Sequence, residues 1–191
     1  RMIMRHDRPD LNTPADEEVW PGLARFGGAD GTAALVSPCW ALTAARTLAA
    51  APAPDVVEFV EEFRRVVGVA RAPEPGGGGE IVLLRLHAAL EGVAPFELFD
   101  GGDEADGEIL LLGRGRHGDA LLGPRGPGDG LLRRATNRVD RADARGLWFA
   151  LDPPRHAGCT DAEGISGPGI GGDVALLPRG GRLLLAGLRP S

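Results

Sequence analysis

The stretch Gly31-Thr-Ala-Ala-Leu-Val-Ser-Pro-Cys-Trp-Ala-Leu-Thr-Ala-Ala-Arg-Thr-Leu48 decides the fold of this chain. Its apolar residues from 33 to 42 lie on both sides of Ser37 and Pro38, a pair that is typical of turns. This pattern predicts two short strands joined by a turn. Residues 44–49 predict a short helical turn that contains Arg46. The stretch therefore predicts a β-hairpin that leads into a helical turn with a permanently charged side chain.

The same stretch resembles the segment that carries the catalytic histidine in trypsin-like serine proteases, G-(S/T)-L-(I/V)-x-P-x-W-V-L-T-A-A-H-C. The match is long and has no gap. Arg46 stands where that family has the histidine that acts as general base. A guanidinium group remains protonated at ordinary pH, so it cannot accept a proton from a nucleophile. The resemblance implies a protease fold that lacks the base of the protease reaction.

Two further segments extend the resemblance. Residues 79–86 resemble the family's D-I-A-L-L-x-L strand, with Glu80 in place of the aspartate that orients the histidine. Residues 167–177 resemble the nucleophile loop G-D-S-G-G-P-A-L, and Gly171 stands at the nucleophile in that register. Glycine has no atom that can form an acyl intermediate. The triad positions Arg46, Glu80 and Gly171 therefore predict an inactive serine protease homologue, not an enzyme.

The resemblance covers the chain from about residue 2 to its end and is to the bacterial branch of the family. It implies an all-β fold of two packed antiparallel six-stranded-type β-barrels within one domain, 1–191. The first barrel is expected at 15–98 and the second at 108–191. Relatives continue through another strand and a helix, so the second barrel is expected to be truncated at its C-terminus. An open strand edge of that kind invites strand addition by a partner.

Short apolar runs separated by glycine and proline also predict an all-β protein, and 43% of the residues are apolar. Predicted strands of the first half are residues 19–26, 56–60, 64–70 and 80–86. Those of the second half are residues 108–113, 131–139, 147–151, 174–177 and 182–188. The acidic segment 99–107 is expected to link the two halves.

Other nucleophiles remain open. Ser166 lies in Gly164-Ile-Ser-Gly-Pro, which can be read as a damaged nucleophile motif, although that register moves the next strand by five residues. Cys159 and His156 are three residues apart, a spacing that can bring a thiol and an imidazole together on a loop. In this hypothesis Glu80 or His156 lies near the nucleophile. Reactive thiols need an electropositive setting, and an inert Cys159 is the competing interpretation.

Composition argues against several classes of ligand. The net charge is −6 and every cation is an arginine, with no concentrated basic stripe, so nucleic-acid binding is not expected. No apolar run reaches the length of a membrane span. The four histidines are far apart and lack zinc-site spacing, so no metal is expected. The glycine run 76–79 is not followed by a lysine or a helix, and no cofactor is expected.

Cysteine usage favours a reducing compartment. The relatives commonly carry a disulfide at the places that hold Gly31 and Thr47 here, so both halves of that bridge are missing. Cys39 and Cys159 lie elsewhere, and nothing in the sequence pairs them. A chain that folds without the bridge is suited to the cytoplasm, which is the predicted location.

These observations predict a pseudoprotease that acts as a protein-binding, regulatory or scaffold subunit. Its partner is expected in the groove between the barrels or at the open C-terminal barrel edge. The alternative is a residual hydrolase or peptidase of altered mechanism that uses Ser166 or Cys159. A third hypothesis is a structural remnant that completes the fold of a neighbouring protein.

Overall fold

The computed structural model describes residues 2–26, 30–49, 55–60, 62–71, 81–125, 127–143, 146–166 and 173–188. These residues form a mostly β protein, as predicted, with one short helix, α1 (Ala45–Ala49), and the 3-10 helices Pro9–Asn12 and Glu17–Val19. Strands of the first half are β1 (Met2–Met4), β2 (Leu23–Phe26), β3 (Gly31–Ser37), β4 (Trp40–Ala44), β5 (Val56–Glu58), β6 (Phe63–Arg71) and β7 (Ile81–Leu86). Strands of the second half are β8 (Glu108–Gly113), β9 (His117–Asp119), β10 (Gly123–Arg125), β11 (Arg133–Arg138), β12 (Arg141–Asp143), β13 (Gly146–Trp148), β14 (Gly164–Ser166), β15 (Val174–Arg179) and β16 (Arg182–Leu188).

Six strands of the first half close into a barrel in the order β2-β3-β4-β7-β6-β5. Their alternating side chains explain the closure, because successive residues of a strand point to opposite faces. On β7, Val82 and Leu84 are buried in the barrel, whereas Ile81 and Arg85 are exposed outside it. The barrel core consists of small and medium apolar side chains: Ala24, Phe26, Ala33, Leu35, Ala41, Ala45, Leu48, Val57, Phe59, Val82, Leu84, Leu86 and Leu90.

The predicted hairpin and helical turn are confirmed. β3 and β4 pair in antiparallel fashion around the turn at Pro38, and α1 follows β4 directly. The predicted strand at 19–26 is shorter in the structure, where β2 begins only at Leu23. The reason is local, because the Asp16 side chain accepts a hydrogen bond from the Glu18 backbone N–H and caps the 3-10 helix before β2.

The second half forms three sheets, in the orders β10-β9-β1-β14, β11-β8-β15-β16 and β12-β13. The strand β1 lies inside the first of them, parallel to β9 and antiparallel to β14. Among the residues that the structure describes, these strands do not close into a second ring. A second barrel therefore stays a prediction.

An apolar cluster joins the two halves. Leu23 and Ala34 of the barrel are buried with Leu112, Leu176 and Leu185 of the second half. The connection between the halves is also tied to both, because the backbone N–H of residue 96 donates to the carbonyl of residue 35, and that of residue 99 to the carbonyl of residue 185. The halves consequently share one interface in addition to the connecting chain.

The connecting segment also covers part of the edge at which strand addition was predicted. β16 is the last strand of its sheet. Its Leu185 N–H donates to the Glu97 carbonyl at 2.8 Å, and the Phe99 N–H donates to the Leu185 carbonyl at 2.9 Å. The centre of the β16 edge is therefore already paired within the chain.

Candidate functional site

Two of the three predicted triad segments lie next to each other. In the register of β4 and β7, Ala44 is opposite Ile81. Arg46 follows Ala44 by two residues and belongs to α1, while Glu80 directly precedes Ile81 in the sequence. The side chain of Arg46, and all of Glu80 and Gly171, lie outside the described residues. The backbone therefore brings the start of α1 and the start of β7 together at one end of the barrel.

Buried hydroxyl groups surround the beginning of α1, a feature that the sequence analysis missed. Thr32, Thr43 and Thr47 are fully buried. The Thr43 hydroxyl donates to the Thr32 carbonyl at 2.7 Å. The Thr32 and Thr47 hydroxyls have no hydrogen-bond partner in the described structure. A buried hydroxyl without a partner costs free energy, and without a base it is not an activated nucleophile.

Ser166, the alternative nucleophile, is buried in β14. Only 1% of its surface is exposed, and its backbone lies opposite Met2 of the neighbouring strand β1. Its hydroxyl oxygen has no hydrogen-bond partner within the described part of the chain. A serine nucleophile needs both a base within hydrogen-bond reach and access for the substrate. The described surroundings of Ser166 supply neither.

Cys159 and His156 lie on the same loop, but each has a different partner. The Cys159 thiol lies 3.6 Å from the Thr160 carbonyl, to which it donates. The Nδ1 atom of His156 lies 3.0 Å from an Asp152 carboxylate oxygen and accepts a hydrogen bond from the Gly158 N–H. Burial raises the pKa of the Cys159 thiol, which lowers its thiolate fraction at neutral pH. This geometry favours an inert thiol.

A buried carboxylate holds that loop in place. Glu163 is fully buried, and one of its carboxylate oxygens accepts hydrogen bonds from the Thr160 N–H at 2.8 Å and the Thr160 hydroxyl at 2.7 Å. The other oxygen accepts a bond from the Asp152 N–H at 3.1 Å. Three donors thereby offset the cost of burying this charge. The spacing Thr160-x-x-Glu163 is that of a capping box and is a local signal for the Thr160 contact, which the sequence analysis missed. The Asp152 contact has no such signal, because it depends on the path of the loop.

A second histidine lies near an acid that is already paired. His117 Nδ1 is 3.7 Å from an Asp129 carboxylate oxygen. Arg133 donates to both oxygens of the same carboxylate, at 2.8 and 2.7 Å. These hydrogen bonds lower the pKa of Asp129 to about 2. Burial, together with the charge of Arg133, lowers the pKa of His117. The imidazole is therefore neutral at pH 7, beside a carboxylate that bonds to the guanidinium.

The described residues contain neither a candidate metal cluster nor a helix that could span a membrane. Within them, no group of three or more histidine, cysteine, aspartate or glutamate side chains could hold a metal ion. No helix in the same ranges has the length and apolar character needed to cross a membrane.

The outer side of strands β5, β6 and β7 carries a mixed apolar and basic surface. We call this surface the β5–β7 face and define it by Val56, Phe63, Arg65, Val67, Ile81 and Arg85. Phe63 is 63% exposed and Val67 is 56% exposed, which are large fractions for apolar side chains on a barrel wall. Arg65 is exposed between them on β6, and Arg85 is exposed on β7 opposite Gly68.

An acidic pocket of about 320 Å³ opens near the turn between β5 and β6. Phe59 and Leu90 are buried beneath it, and glutamates line it at positions 18, 62 and 91. Arg64 forms an ion pair with the Glu62 carboxylate. Carboxylates consequently dominate the pocket, in contrast to the arginines of the neighbouring β5–β7 face.

Comparison with protein-family models finds no match for this chain, and comparison with curated proteins finds no similar sequence. The functional assignment therefore rests on the fold, the site geometry and the surface described above.

Proposed function

We propose that this protein is a non-catalytic trypsin-like domain that binds another protein as a regulatory or scaffold subunit. One observation carries the proposal: the segment that resembles the histidine segment of the proteases folds as a hairpin and a helical turn, and that turn contains Arg46. Arginine cannot act as the general base at that position. A fold of this class without its base retains surfaces for binding but has lost the reaction.

The two-barrel architecture is part of this proposal. The closed first barrel supports it, as does the apolar cluster of the second half, which includes Met2, Ile109, Ala135 and Leu177. An isolated bridge between Thr136 and Glu163 adds a backbone connection between β11 and the residue before β14. These features support a second barrel around a core of its own.

The alternative of a residual hydrolase is disfavoured by the same geometry. Ser166 is buried in a strand, and the thiol of Cys159 has a raised pKa. The imidazole of His156 is exposed beside Asp152 and does not form a hydrogen bond with the Ser166 hydroxyl or the Cys159 thiol. No described residue supplies the paired nucleophile and base that a hydrolase of this type requires.

Labelling with active-site probes tests the proposal. We expect no covalent adduct when the full chain is treated with a fluorophosphonate or a low dose of iodoacetamide, and no cleavage of a peptide library. Ser166→Ala and Cys159→Ala provide matched controls. A label or a cleavage activity that disappears in either variant would show that the chain is an enzyme and overturn the proposal.

The binding half of the proposal needs its own measurement. A pull-down from the native host, read by mass spectrometry, is expected to return a defined protein in a stable complex with the chain. The partner should be recovered at full length, because Arg46 cannot act as the base that cleavage requires. Recovery of a partner cut at a specific bond, only when the chain is present, would contradict this expectation.

A further inference from the structure

We infer that the β5–β7 face is the docking surface for an acidic, partly apolar segment of a partner protein. This inference rests on the proposed protein-binding function and names the chemistry of the partner. It depends on three properties of the face: its exposed apolar side chains, its exposed arginines and the acidic pocket beside it.

The strand pairing of the barrel directs the apolar side chains of the face outward. Val56 lies opposite Arg65 in the β5–β6 pair, so both point outward. The register between β6 and β7 shifts between Val66 and Gly68, and the extra residue at this irregularity is Val67, which is exposed. A β-bulge re-aims side chains in this way. Gly68 lies opposite Arg85 and has no side chain, which leaves the stem of Arg85 accessible.

The two arginines of the face have no ion-pair partner in the part of the chain that the structure describes. Among the described residues, neither Arg65 nor Arg85 has a carboxylate within ion-pair distance. Two described carboxylates at the β5–β6 turn have other partners, because Glu58 pairs with Arg25 and Glu62 pairs with Arg64. In a chain with a net charge of −6, two exposed guanidinium groups on the same face as exposed Phe63 and Val67 are suited to carboxylates that alternate with apolar groups.

The neighbouring pocket restricts the shape of the partner. Its glutamates at positions 18, 62 and 91 lie close to the β5–β6 turn, at the end of the same face. A broad anionic surface, such as a membrane with acidic lipids, would meet these carboxylates as well as the arginines and would be repelled. A narrow acidic segment can contact Arg65 and Arg85 without covering the pocket. The charge distribution therefore favours a protein segment over a bilayer.

Selection from a displayed library of short random peptides tests the inference on the full chain. We expect the recovered peptides to contain Asp or Glu alternating with apolar residues. The affinity of one such synthetic peptide is then measured by fluorescence anisotropy. The double variant R65E/R85E should weaken its binding by on the order of tenfold or more, and added salt should weaken binding to the native chain.

Matched variants separate the face from general charge and general hydrophobicity. R134E/R155E reverses two exposed arginines elsewhere and changes the net charge by the same amount, so it should bind the peptide like the native chain. Phe63→Ser with Val67→Ser should weaken binding, whereas Leu121→Ser with Leu122→Ser, at an exposed turn far along the chain, should not. All of these side chains are exposed, and unchanged thermal unfolding confirms that each variant is folded.

Several outcomes overturn the inference. The inference is wrong if the selected peptides lack acidic residues or if no peptide is selected. It is also wrong if R65E/R85E and R134E/R155E weaken peptide binding equally. Binding of phosphatidylserine vesicles that depends on Arg65 and Arg85, with no acidic peptide selected, also overturns it in favour of a membrane. Failure of the proposed function looks different, because it appears as covalent labelling or peptide cleavage and does not depend on these arginines.

Discussion

Single residues determine what this chain can do chemically. Arg46 removes the base from the segment that resembles the protease histidine segment, and this conclusion needs only the sequence. The surroundings of Ser166 and Cys159 could not be predicted in the same way, because burial and hydrogen bonds depend on residues far away in the chain. Glu163 illustrates the point, since the sequence around it gives no sign that the carboxylate is buried or that the Asp152 N–H donates to it.

The Glu163 carboxylate should contribute substantially to stability. In Glu163→Ala the Thr160 N–H, the Thr160 hydroxyl and the Asp152 N–H lose their acceptor. We expect the free energy of unfolding to fall by about 3 kcal/mol, measured by urea denaturation. Cys159 on the same loop should also react faster with iodoacetamide, because the loop is no longer held in place.

Glu163→Gln is the matched control for this prediction. It retains the side-chain volume and one acceptor oxygen, so its loss of stability should be smaller than that of the alanine variant. Equal stability of the alanine variant and the native chain would mean that the three donors find other partners and that the carboxylate does not hold the loop.

Secondary structure elements show where local patterns suffice and where they fail. The hairpin of β3 and β4 and the helix α1 were predicted correctly because turn residues and apolar runs are local signals. The 3-10 helix at Glu17–Val19 replaced the predicted beginning of β2 because the Asp16 cap outweighs strand propensity. The pairing of β1 with β9 and β14 could not be predicted, since it joins segments that are distant in sequence.

Close packing of β14 against its neighbours gives a prediction at this scale. A methyl group added at Gly164 would lie 2.7 Å from the Ala135 side chain and 2.9 Å from the Ile3 carbonyl oxygen. Gly164→Ala should therefore push β14 away from β1 and lower the free energy of unfolding by about 1–3 kcal/mol. The midpoint of urea denaturation measures the change.

Gly102→Ala provides the comparison, because nothing lies within 4 Å of a methyl group at that position. Its stability should equal or slightly exceed that of the native chain, since alanine restricts the unfolded state more than glycine does. If both variants unfolded at the native midpoint, β14 would have room that the structure does not show.

At the scale of the whole molecule, the two halves depend on each other. Leu23 and Ala34 of the barrel share a buried cluster with Leu112 and Leu176. Arg114 of the second half, with a fully buried side chain, donates to the carboxylate of Glu17 and to the Gly130 carbonyl. An all-β class was predictable from composition and periodicity. The shared interface could not be predicted, because it depends on which outward-facing residues of the two halves contact each other.

The shared cluster predicts a single cooperative unfolding transition. Leu112→Ala should lower the free energy of unfolding by about 3 kcal/mol, because it leaves a cavity between the halves. Two single-tryptophan variants report on the two parts by fluorescence. One retains Trp40 in the barrel and the other retains Trp148 in the second half, and the remaining tryptophans, including Trp20, are replaced by phenylalanine. Both probes should shift to the same lower midpoint of urea denaturation.

Leu121→Ala removes the same atoms from a side chain that is 72% exposed, so its midpoint should stay close to the native one. Two separate midpoints for Trp40 and Trp148 would show instead that the halves unfold independently, and that their common cluster contributes little to stability.

The position of β1 has a consequence for biosynthesis. Ribosomes synthesise the chain from its N-terminal side. Met2 of β1 is therefore made long before Ser166 of β14, the residue that lies opposite it. The barrel strands β2 to β7 emerge between β1 and β14, and the barrel can close without either of them. Until β14 has left the exit tunnel, the apolar side chains of Met2 and Met4 have no strand to cover them on that side. Nascent chains of this protein should therefore bind chaperones through β1 until β14 has emerged.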